Sequence, residues 1–429
     1  MTPEVKKRIE QIRQGIVPEG YKKGKIGIVP IKWNEVPFST LFTSTSEYTD
    51  DLKQYPLYSL TIEDGITAKT ERYERSHLVK KENSYKVVRP NDYAYNPMNI
   101  RFGAVARHKG DIPVAVSGYY DIFTTVHESD LVFMDSFLTY GPMITYYNKV
   151  STGSLVEKQR VHFSDFLEFS LALPPLEERK KIAEILSTQD KAIELQERKI
   201  EELKRFKKGC LERMFPREGQ KVPEKRFPGF TDDWEQRKVS DLAEKTYGGG
   251  TPTTSNEAYW NGDIPWIQSS DVVDGKLLGV EPRKWITQGG LNNSAAQLIP
   301  ENSIAIITRV GVGKLAFMPY SYATSQDFLS LSKLNVEPFF AVYACYKKLQ
   351  SELNAVQGTS IKGITKDELL AKSIMVPRYA EQQQIGAFFK QLDKLITLHQ
   401  RKLDEMKKQK KALMQLLLTG IVKTKGEVR

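Results

Sequence analysis

Side chains that could perform catalysis do not form a recognised catalytic motif in this sequence. The run "RVGVGKLAF", which begins at Arg309, approaches a phosphate-binding P-loop. It lacks that motif's first glycine, where Thr308 stands, and its serine or threonine, where Leu315 stands. The histidines are scattered without the spacing of metal ligands, namely His77, His108, His127, His162 and His399. We therefore expect a chain that is non-catalytic by itself and holds no metal.

Basic and polar side chains in turn-rich runs are better candidates, because they could contact nucleic acid. The net charge of +10 indicates an anionic partner, such as nucleic acid or an acidic surface. Lysine and arginine bind phosphates, whereas polar side chains at base edges read the sequence. In the first half of the chain the candidates are Asn96, Asn99, Arg101, Arg107, Lys109 and Arg160. In the second half they are Thr251, Thr253, Ser255, Gln268, Ser269, Ser270, Arg309, Lys314 and Lys362. Each of them could instead be an ordinary solvated loop residue.

Two long helices, each opened by a proline, must position these residues. The stretches that begin at Leu173 and Val376 align without a gap at an offset of 203. Apolar residues recur in both with alternating steps of four and three over about five heptads, which predicts a coiled-coil seam. The seam residues are Ile182, Leu186, Ile193, Ile200 and Leu203, then Ile385, Phe389, Leu392, Ile396, Leu403 and Met406. Polar breaks fall at equivalent places, Gln196 with His399 and Lys207 with Lys410. Two unrelated helices of a bundle are the alternative, which the gapless offset disfavours.

The repeat extends beyond the helices. Trp33 in "KWNEVPFSTLF" matches Trp234 in "DWEQRKVSDLA", and a module of similar length lies between each tryptophan and its helix. Short β-rich runs occur in both modules, such as "YSLTI", "SYKVV", "GAVAR" and "IPVAV", then "IPWIQ", "SIAIIT" and "KLAFMP". The modules otherwise differ in sequence, which indicates one scaffold with two binding surfaces.

These observations give a domain plan. The predicted fold class is α/β (α+β), with two globular modules joined by two long antiparallel coiled-coil helices and an internal pseudo-two-fold repeat. The predicted ranges are an N-terminal segment (1–32), a first module (33–172), a central spacer helix (173–216), a linker (217–233), a second module (234–375), a C-terminal spacer helix (376–420) and a basic tail (421–429).

The number of cysteines and the hydropathy of the sequence indicate the cellular compartment in which the protein resides. Cys210 and Cys345 are the two cysteines and no CxxC occurs, which argues against a disulfide framework or a thiolate zinc site. The N-terminal residues lack the apolar core of a signal peptide, and no run of 18 apolar residues exists. We therefore expect a cytoplasmic protein.

One further pattern resembles a known family. The motif Pro-x-x-x-Glu-(Gln/Arg)-x-x-Ile precedes each long helix, and each copy follows a variable module. The opening "VSDLAEKTYGGGTPTTSNEAYWNGDIPWIQSSDV" and the closing "GTSIKGITKDELLAKSIMVP" of the second module are similar to target recognition domains. The chain thus resembles the specificity (S) subunit of type I restriction–modification systems. It departs from that pattern at Arg179, where the family usually has glutamine, and in the first module, which lacks the "GxTP…YW" signature.

The resemblance implies a function for each part. The two modules would each read one half of a split DNA target, which would be asymmetric because the modules differ. The helices would set the spacing and dock two methyltransferase (M) subunits, which bind S-adenosylmethionine and modify an adenine in each half. Restriction (R) subunits would add ATP-driven translocation and cleavage. The partners would be double-stranded DNA, M and R subunits and no membrane, and this chain would hold no cofactor, since S-adenosylmethionine, ATP and Mg belong to its partners.

Two other hypotheses compete with the function of a specificity subunit. A stand-alone methyltransferase or nuclease would require motifs that the sequence lacks. A coiled-coil adaptor with only non-specific nucleic-acid binding would explain the helices but not the paired modules.

Overall fold

The computed structural model describes residues 2–69, 84–155, 159–355, 363–422 and 424. The chain divides into two compact units. Unit 1 comprises Met1–Glu194 and Asp404–Arg429, and unit 2 comprises Leu195–Leu403. Each unit therefore contains a part of both long helices, whereas the plan drawn from the repeat sets the helices apart from the modules. That finer plan stays a prediction.

Unit 1 begins with helix α1 (Pro3–Arg13), whose first turn is capped by the Thr2 side chain. Its strands are β1 (Tyr21–Gly24), β2 (Gly27–Pro30), β3 (Asn34–Pro37), β4 (Phe42–Ser44), β5 (Tyr48–Thr49), β6 (Tyr58–Thr61), β7 (Gly65–Ala68), β8 (Tyr85–Val88), β9 (Tyr93–Tyr95), β10 (Val105–Arg107), β11 (Val114–Ser117), β12 (Asp121–Thr125) and β13 (Ser170–Leu173). Its further helices are α2 (Leu131–Phe137), α3 (Gly141–Val150), α4 (Phe163–Leu167) and the first part of the long helix α5 (Leu176–Arg213). Aromatic rings packed around Phe166 fill the core, namely Phe38, Phe42, Tyr95, Phe123 and Phe163.

Unit 2 has a comparable content. Its strands are β14 (Glu235–Lys238), β15 (Ala243–Gly248), β16 (Trp260–Ile267), β17 (Lys284–Ile286), β18 (Ser303–Ile307), β19 (Leu315–Met318), β20 (Ala323–Thr324), β21 (Phe328–Leu334) and β22 (Ser373–Val376). Its helices include α6 (Gln288–Asn292), α7 (Pro338–Ala355), α8 (Lys366–Ala371) and the first part of the long helix α9 (Tyr379–Leu418). Helix α7 packs on the large sheet, and the core continues into the two long helices through Leu211 of α5 and Phe389 of α9.

The large sheets of the two units share one topology. The strand order is β10-β9-β12-β4 in unit 1 and, read in the same direction, β19-β18-β21-β15 in unit 2. Every neighbouring pair in both sheets is antiparallel. In each unit a two-stranded sheet also joins the strand that opens the module to the strand that precedes the long helix, β3 with β13 and β14 with β22. The hairpin β9–β10 is therefore the counterpart of β18–β19.

A glutamate near the start of each long helix binds a basic residue from the segment that precedes the module. In unit 1, the ammonium group of Lys32 lies 2.9 Å from the Glu178 carboxylate. In unit 2, Arg226 donates two hydrogen bonds of 2.7 Å to Glu381, which is buried. The carboxylate thus ties the helix to the entry of its module, which explains the glutamate of the repeated motif.

The predicted seam residues are mostly buried. Ile396 and Met406 are half-buried and the other nine are buried. Within unit 2 the side chains of Gln196 and His399 meet, and Lys207 meets Asp393. From Gln196 to Lys207 the residue number on α5 rises, whereas that of the contacted residue on α9 falls from His399 to Asp393. The two helices therefore run antiparallel in this unit. Among the described residues, every helix is too short or too polar to span a membrane.

Candidate nucleic-acid interface

Four loops of unit 2 meet at one edge. They follow the ends of β15, β16, β18 and β20. The amide of Gly250 donates to Thr324 O at 2.8 Å, and the amide of Ser325 donates to Ile267 O at 2.9 Å. The amide of Thr308 in turn donates to Asp327 O at 2.8 Å. These backbone bonds hold the loops together, as a binding surface built from loops on a rigid scaffold requires.

Glycines and tryptophans fix the first of these loops. A side chain on Gly249 would place its Cβ 1.9 Å from Ser325 O, and one on Gly250 would place it 2.3 Å from the carbonyl carbon of Ala295. The indole of Trp266 donates to Gly250 O at 3.0 Å, and that of Trp260 donates to Thr253 O at 3.2 Å. The "GGGTP…YW" signature therefore describes a loop that passes close to its neighbours and is held by two indole N–H groups.

The predicted residues of unit 2 lie on or beside this edge. Thr251 and Gln326 are both exposed, and the Thr251 hydroxyl donates to the Gln326 side chain at 2.7 Å. The remaining predicted residues are exposed or half-buried, namely Thr253, Ser255, Gln268, Ser269, Ser270, Arg309 and Lys314. The predicted Lys362 lies outside the described residues. Gln326 was not among the predicted residues, although the polar run "TSQD" between two apolar stretches indicates an exposed loop there.

The predicted residues of unit 1 fall into two groups. In the β9–β10 hairpin, Tyr95 pairs with Val105 and Tyr93 pairs with Arg107. The residues after Tyr95 lie at one end of this hairpin, and the residues that follow β10 lie at the other. Asn96, Asn99 and Arg101 therefore belong to the first end, and Arg107 and Lys109 belong to the second. The run that contains them is therefore divided between the two ends of the hairpin.

At the first end, Arg101 is the most engaged of the basic side chains. Its guanidinium carbon lies 4.7 Å from the ring centroid of Phe102, and its Nη1 donates to the Gln159 side chain at 3.0 Å. Arg160 is half-buried beside Gln159, and Asn99 is exposed. This end therefore presents two arginines and an amide next to an aromatic ring.

Asn96 requires a correction. Its side chain is buried, and its Oδ1 accepts hydrogen bonds from the amides of Met98 at 3.1 Å and Asn99 at 3.3 Å. An asparagine that bonds the backbone two and three residues on stabilises a turn. Asn96 thus stabilises the loop after β9, and its buried side chain is not placed to reach a base.

At the second end, Arg107 is occupied by the protein itself. Its Nε and Nη2 donate to the two oxygens of Asp135 at 2.9 and 2.8 Å, and Nη1 donates to Asn91 at 2.6 Å. The Tyr93 hydroxyl also donates to Asp135 at 2.9 Å. Burial raises the pKa of Tyr93 well above its usual value, and the Asp135 carboxylate adds to this rise. Of this group, Lys109 is exposed and close enough to Asp135 for an ion pair at 3.5 Å.

Comparisons with known proteins agree with this architecture. A family model described as the type I restriction modification DNA specificity domain matches residues 136–205 and 231–408. A protein named as the MjaX type I restriction enzyme specificity subunit, from Methanocaldococcus jannaschii, is 25% identical over 98% of this chain and 93% of its own length. The EcoR124I/EcoR124II specificity subunit of Escherichia coli is 32% identical over 36% of this chain and 39% of its own.

Solved structures show the same fold. The crystal structure of the type I restriction–modification S subunit from M. genitalium superposes with a TM-score of 0.55. The match covers 92% of this chain and 99% of that one at 12% identity. Since the family model also matches more than half of the sequence, this chain belongs to the family of type I restriction–modification specificity (S) subunits.

Proposed function

We propose that this chain gives a type I restriction–modification complex its DNA sequence specificity and performs no catalysis itself. Each module reads one half of a split, asymmetric DNA target. The two helices form an antiparallel coiled coil that sets the spacing between the halves and docks two methyltransferase subunits. Double-stranded DNA, M subunits and R subunits are its partners. S-adenosylmethionine, ATP and Mg belong to those partners.

The observation that carries this proposal is the edge of unit 2 where four loops meet. Thr251 and Gln326 stand side by side there and both are exposed. Glutamine and threonine are side chains that read base edges in a DNA groove. Arg309, on an adjoining loop, is exposed and can bind a phosphate or a guanine.

The difference between the modules supports an asymmetric target. The two large sheets share one strand order. The counterpart loops differ, since the loop between β9 and β10 (96–104) contains Asn99 and Arg101, whereas the shorter loop between β18 and β19 (308–314) contains Arg309 and Lys314. One scaffold that carries two sets of reading residues fits a target with two unlike halves.

The long helices support the docking and spacing roles. The ion pairs Lys207–Asp393 and Lys410–Asp190 join the same two positions of the helix repeat. Contacts that recur at equivalent positions are what a duplicated helix pair requires. A duplicated pair offers two equivalent surfaces and can therefore hold two copies of one subunit.

The experiment is to assemble the chain with its methyltransferase subunit and S-adenosylmethionine, and to map methylated adenines across a genome. We expect a split motif with two unlike halves and one modified adenine in each. The Gln326→Ala variant should relax the motif in one half only, while Gln288→Ala on helix α6 serves as the matched control. An assembled complex that methylates no defined motif would instead support the adaptor with only non-specific binding.

A further inference from the structure

The loops of the two counterpart hairpins share a pattern that the sequence repeat does not reveal. The loop between β9 and β10 contains Arg101-Phe102-Gly103, and the loop between β18 and β19 contains Arg309-Val310-Gly311. In both, an arginine is followed by a large apolar residue and then by a glycine with positive φ, 99° for Gly103 and 93° for Gly311. We name these two segments the hairpin tips.

The apolar residue of each tip faces solvent. Phe102 is 50% exposed and Val310 is 69% exposed. A single exposed apolar side chain needs no explanation. The same order of residue types recurs in the counterpart loops of two modules that otherwise differ, six residues after β9 and two residues after β18, and this recurrence does call for one. The glycine that follows adopts a backbone conformation that other residues rarely take, so the turn keeps the apolar residue in this position.

Positive charge accompanies both tips. The Arg101 guanidinium lies 4.7 Å from the Phe102 ring centroid. In unit 2, Arg309 is exposed, and the Lys314 side chain runs alongside Gly311, within 3.8 Å of the position of an added Cβ. DNA presents anionic phosphates along each groove and the flat, apolar bases between them. An apolar side chain flanked by cations is complementary to this surface.

We propose that the two hairpin tips contact bases of the DNA target, with Phe102 and Val310 pressed against the bases and Arg101 and Arg309 on the adjoining phosphates. This inference rests on the proposed function and adds a residue in each module that determines specificity. Apolar contact with a thymine methyl group, or insertion between base pairs, discriminates sequence without a hydrogen bond. Each tip serves its own half of the target.

The test measures equilibrium binding by the complex of the full chain with its methyltransferase subunit. The probes are a duplex that carries the methylated motif, two duplexes with one half scrambled, and a duplex of random sequence. For the wild-type complex, scrambling either half weakens binding. We expect Phe102→Ala to reduce the discrimination for one half by about 5- to 150-fold, the range for the recognition of a single base pair. Val310→Ala should reduce it for the other half by about fivefold.

Matched controls separate this effect from general damage. Val126→Ala removes an apolar side chain of equal exposure, 50%, just after β12, at the end of the sheet away from the β9–β10 loop. Val222→Ala makes the same change as Val310→Ala at an exposed valine in the connector after α5. Both should bind like the wild type. Phe102→Trp should keep discrimination, and all tip variants should bind random DNA normally, since phosphate contacts dominate that binding.

The outcomes distinguish two failures. If the wild-type complex shows no preference for any duplex, the proposed function is wrong and the role of the tips is lost with it. If the wild-type complex discriminates and both Phe102→Ala and Val310→Ala discriminate equally well, the proposed function stands and the role of the tips is wrong. Loss of binding to all duplexes, random DNA included, would also count against a role in reading bases.

Discussion

The side-chain amide of Gln196 lies 2.8 Å from Nδ1 of His399 and 2.8 Å from the His399 backbone oxygen, and the two residues are 203 positions apart. They occupy the same place in the two helix repeats. Each is a polar break in an apolar seam, and each meets the other. Polar residues in a seam lower stability but specify register and partner. The two breaks therefore define how α5 and α9 align in unit 2.

The alignment can be tested by making this contact apolar. The double variant Gln196→Leu and His399→Leu should raise the thermal unfolding midpoint by a few degrees, because two polar groups leave the seam. Gln196→Leu alone should gain less, because His399 loses its partner. The measurement is differential scanning calorimetry, with Gln391→Leu at an exposed position of α9 as the control. A double variant that melts below the wild type would show that the pair stabilises the helices.

Two lysines at equivalent positions offer a matched comparison of buried and exposed ion pairs. Lys207 and Asp393 have side chains that are 9% and 13% exposed, and their N–O distance is 2.5 Å. Tyr343 also donates to Asp393 at 2.6 Å. Lys410 and its partner Asp190 are 24% and 49% exposed.

Lys207→Met should therefore destabilise unit 2 by about 3–5 kcal/mol, because it leaves a buried carboxylate without its cation. Lys410→Met, the same change at the equivalent position, should cost about 1 kcal/mol or less. Chemical denaturation of both variants measures the difference. Equal losses would mean that burial does not control the strength of these pairs.

Arg179 and Gln382 show how one position of the repeat has diverged. Both side chains donate to the carbonyl of the motif proline, Arg179 to Pro174 O at 3.1 Å and Gln382 to Pro377 O at 2.8 Å. Arg179 also donates two hydrogen bonds of 2.8 and 3.0 Å to the buried Asp130. Gln382 instead accepts one from a backbone amide. The arginine in the first copy is thus matched to Asp130.

Restoring glutamine at this position should therefore harm the first copy. Arg179→Gln should lower the free energy of unfolding by about 3–5 kcal/mol, because Asp130 remains buried without a cation. Adding Asp130→Asn should recover a large part of this loss. A double-mutant cycle by chemical denaturation measures the coupling. If the two changes are additive, the residues are not coupled.

The sequence predicted the elements whose signal is local. Nine of the eleven predicted seam residues are buried, and five of these pack into the cores of the modules, namely Ile182, Leu186, Ile385, Phe389 and Leu392. The coiled-coil seam itself stays a prediction. The β-rich run "YSLTI" contains strand β6, and "SIAIIT" contains strand β18. In these cases the residues that set the structure are near one another in the chain.

Contacts between distant residues were not predictable in this way. Arg101 and Arg107 are close in sequence, yet the β9–β10 hairpin places them toward opposite ends. Gln326 reaches the edge of unit 2 because backbone bonds join Ser325 to Ile267 and Gly250 to Thr324. Only the strand order reveals which of these residues are neighbours.

Three consecutive glycines, the last residue of β15 and the two that follow it, lead into the loop that carries Thr251. A Cβ on Gly249 would lie 1.9 Å from Ser325 O, whereas a Cβ on Gly248 would meet no atom within 4 Å. Gly249→Ala should therefore displace the loop from Ser325 and weaken recognition of one half of the target by at least about tenfold. Gly248→Ala should bind like the wild type. Binding of the assembled complex to the methylated motif, compared with duplexes scrambled in one half, measures both variants. Equal binding by the two would show that the close approach at Gly249 is not needed to present Thr251 and Gln326.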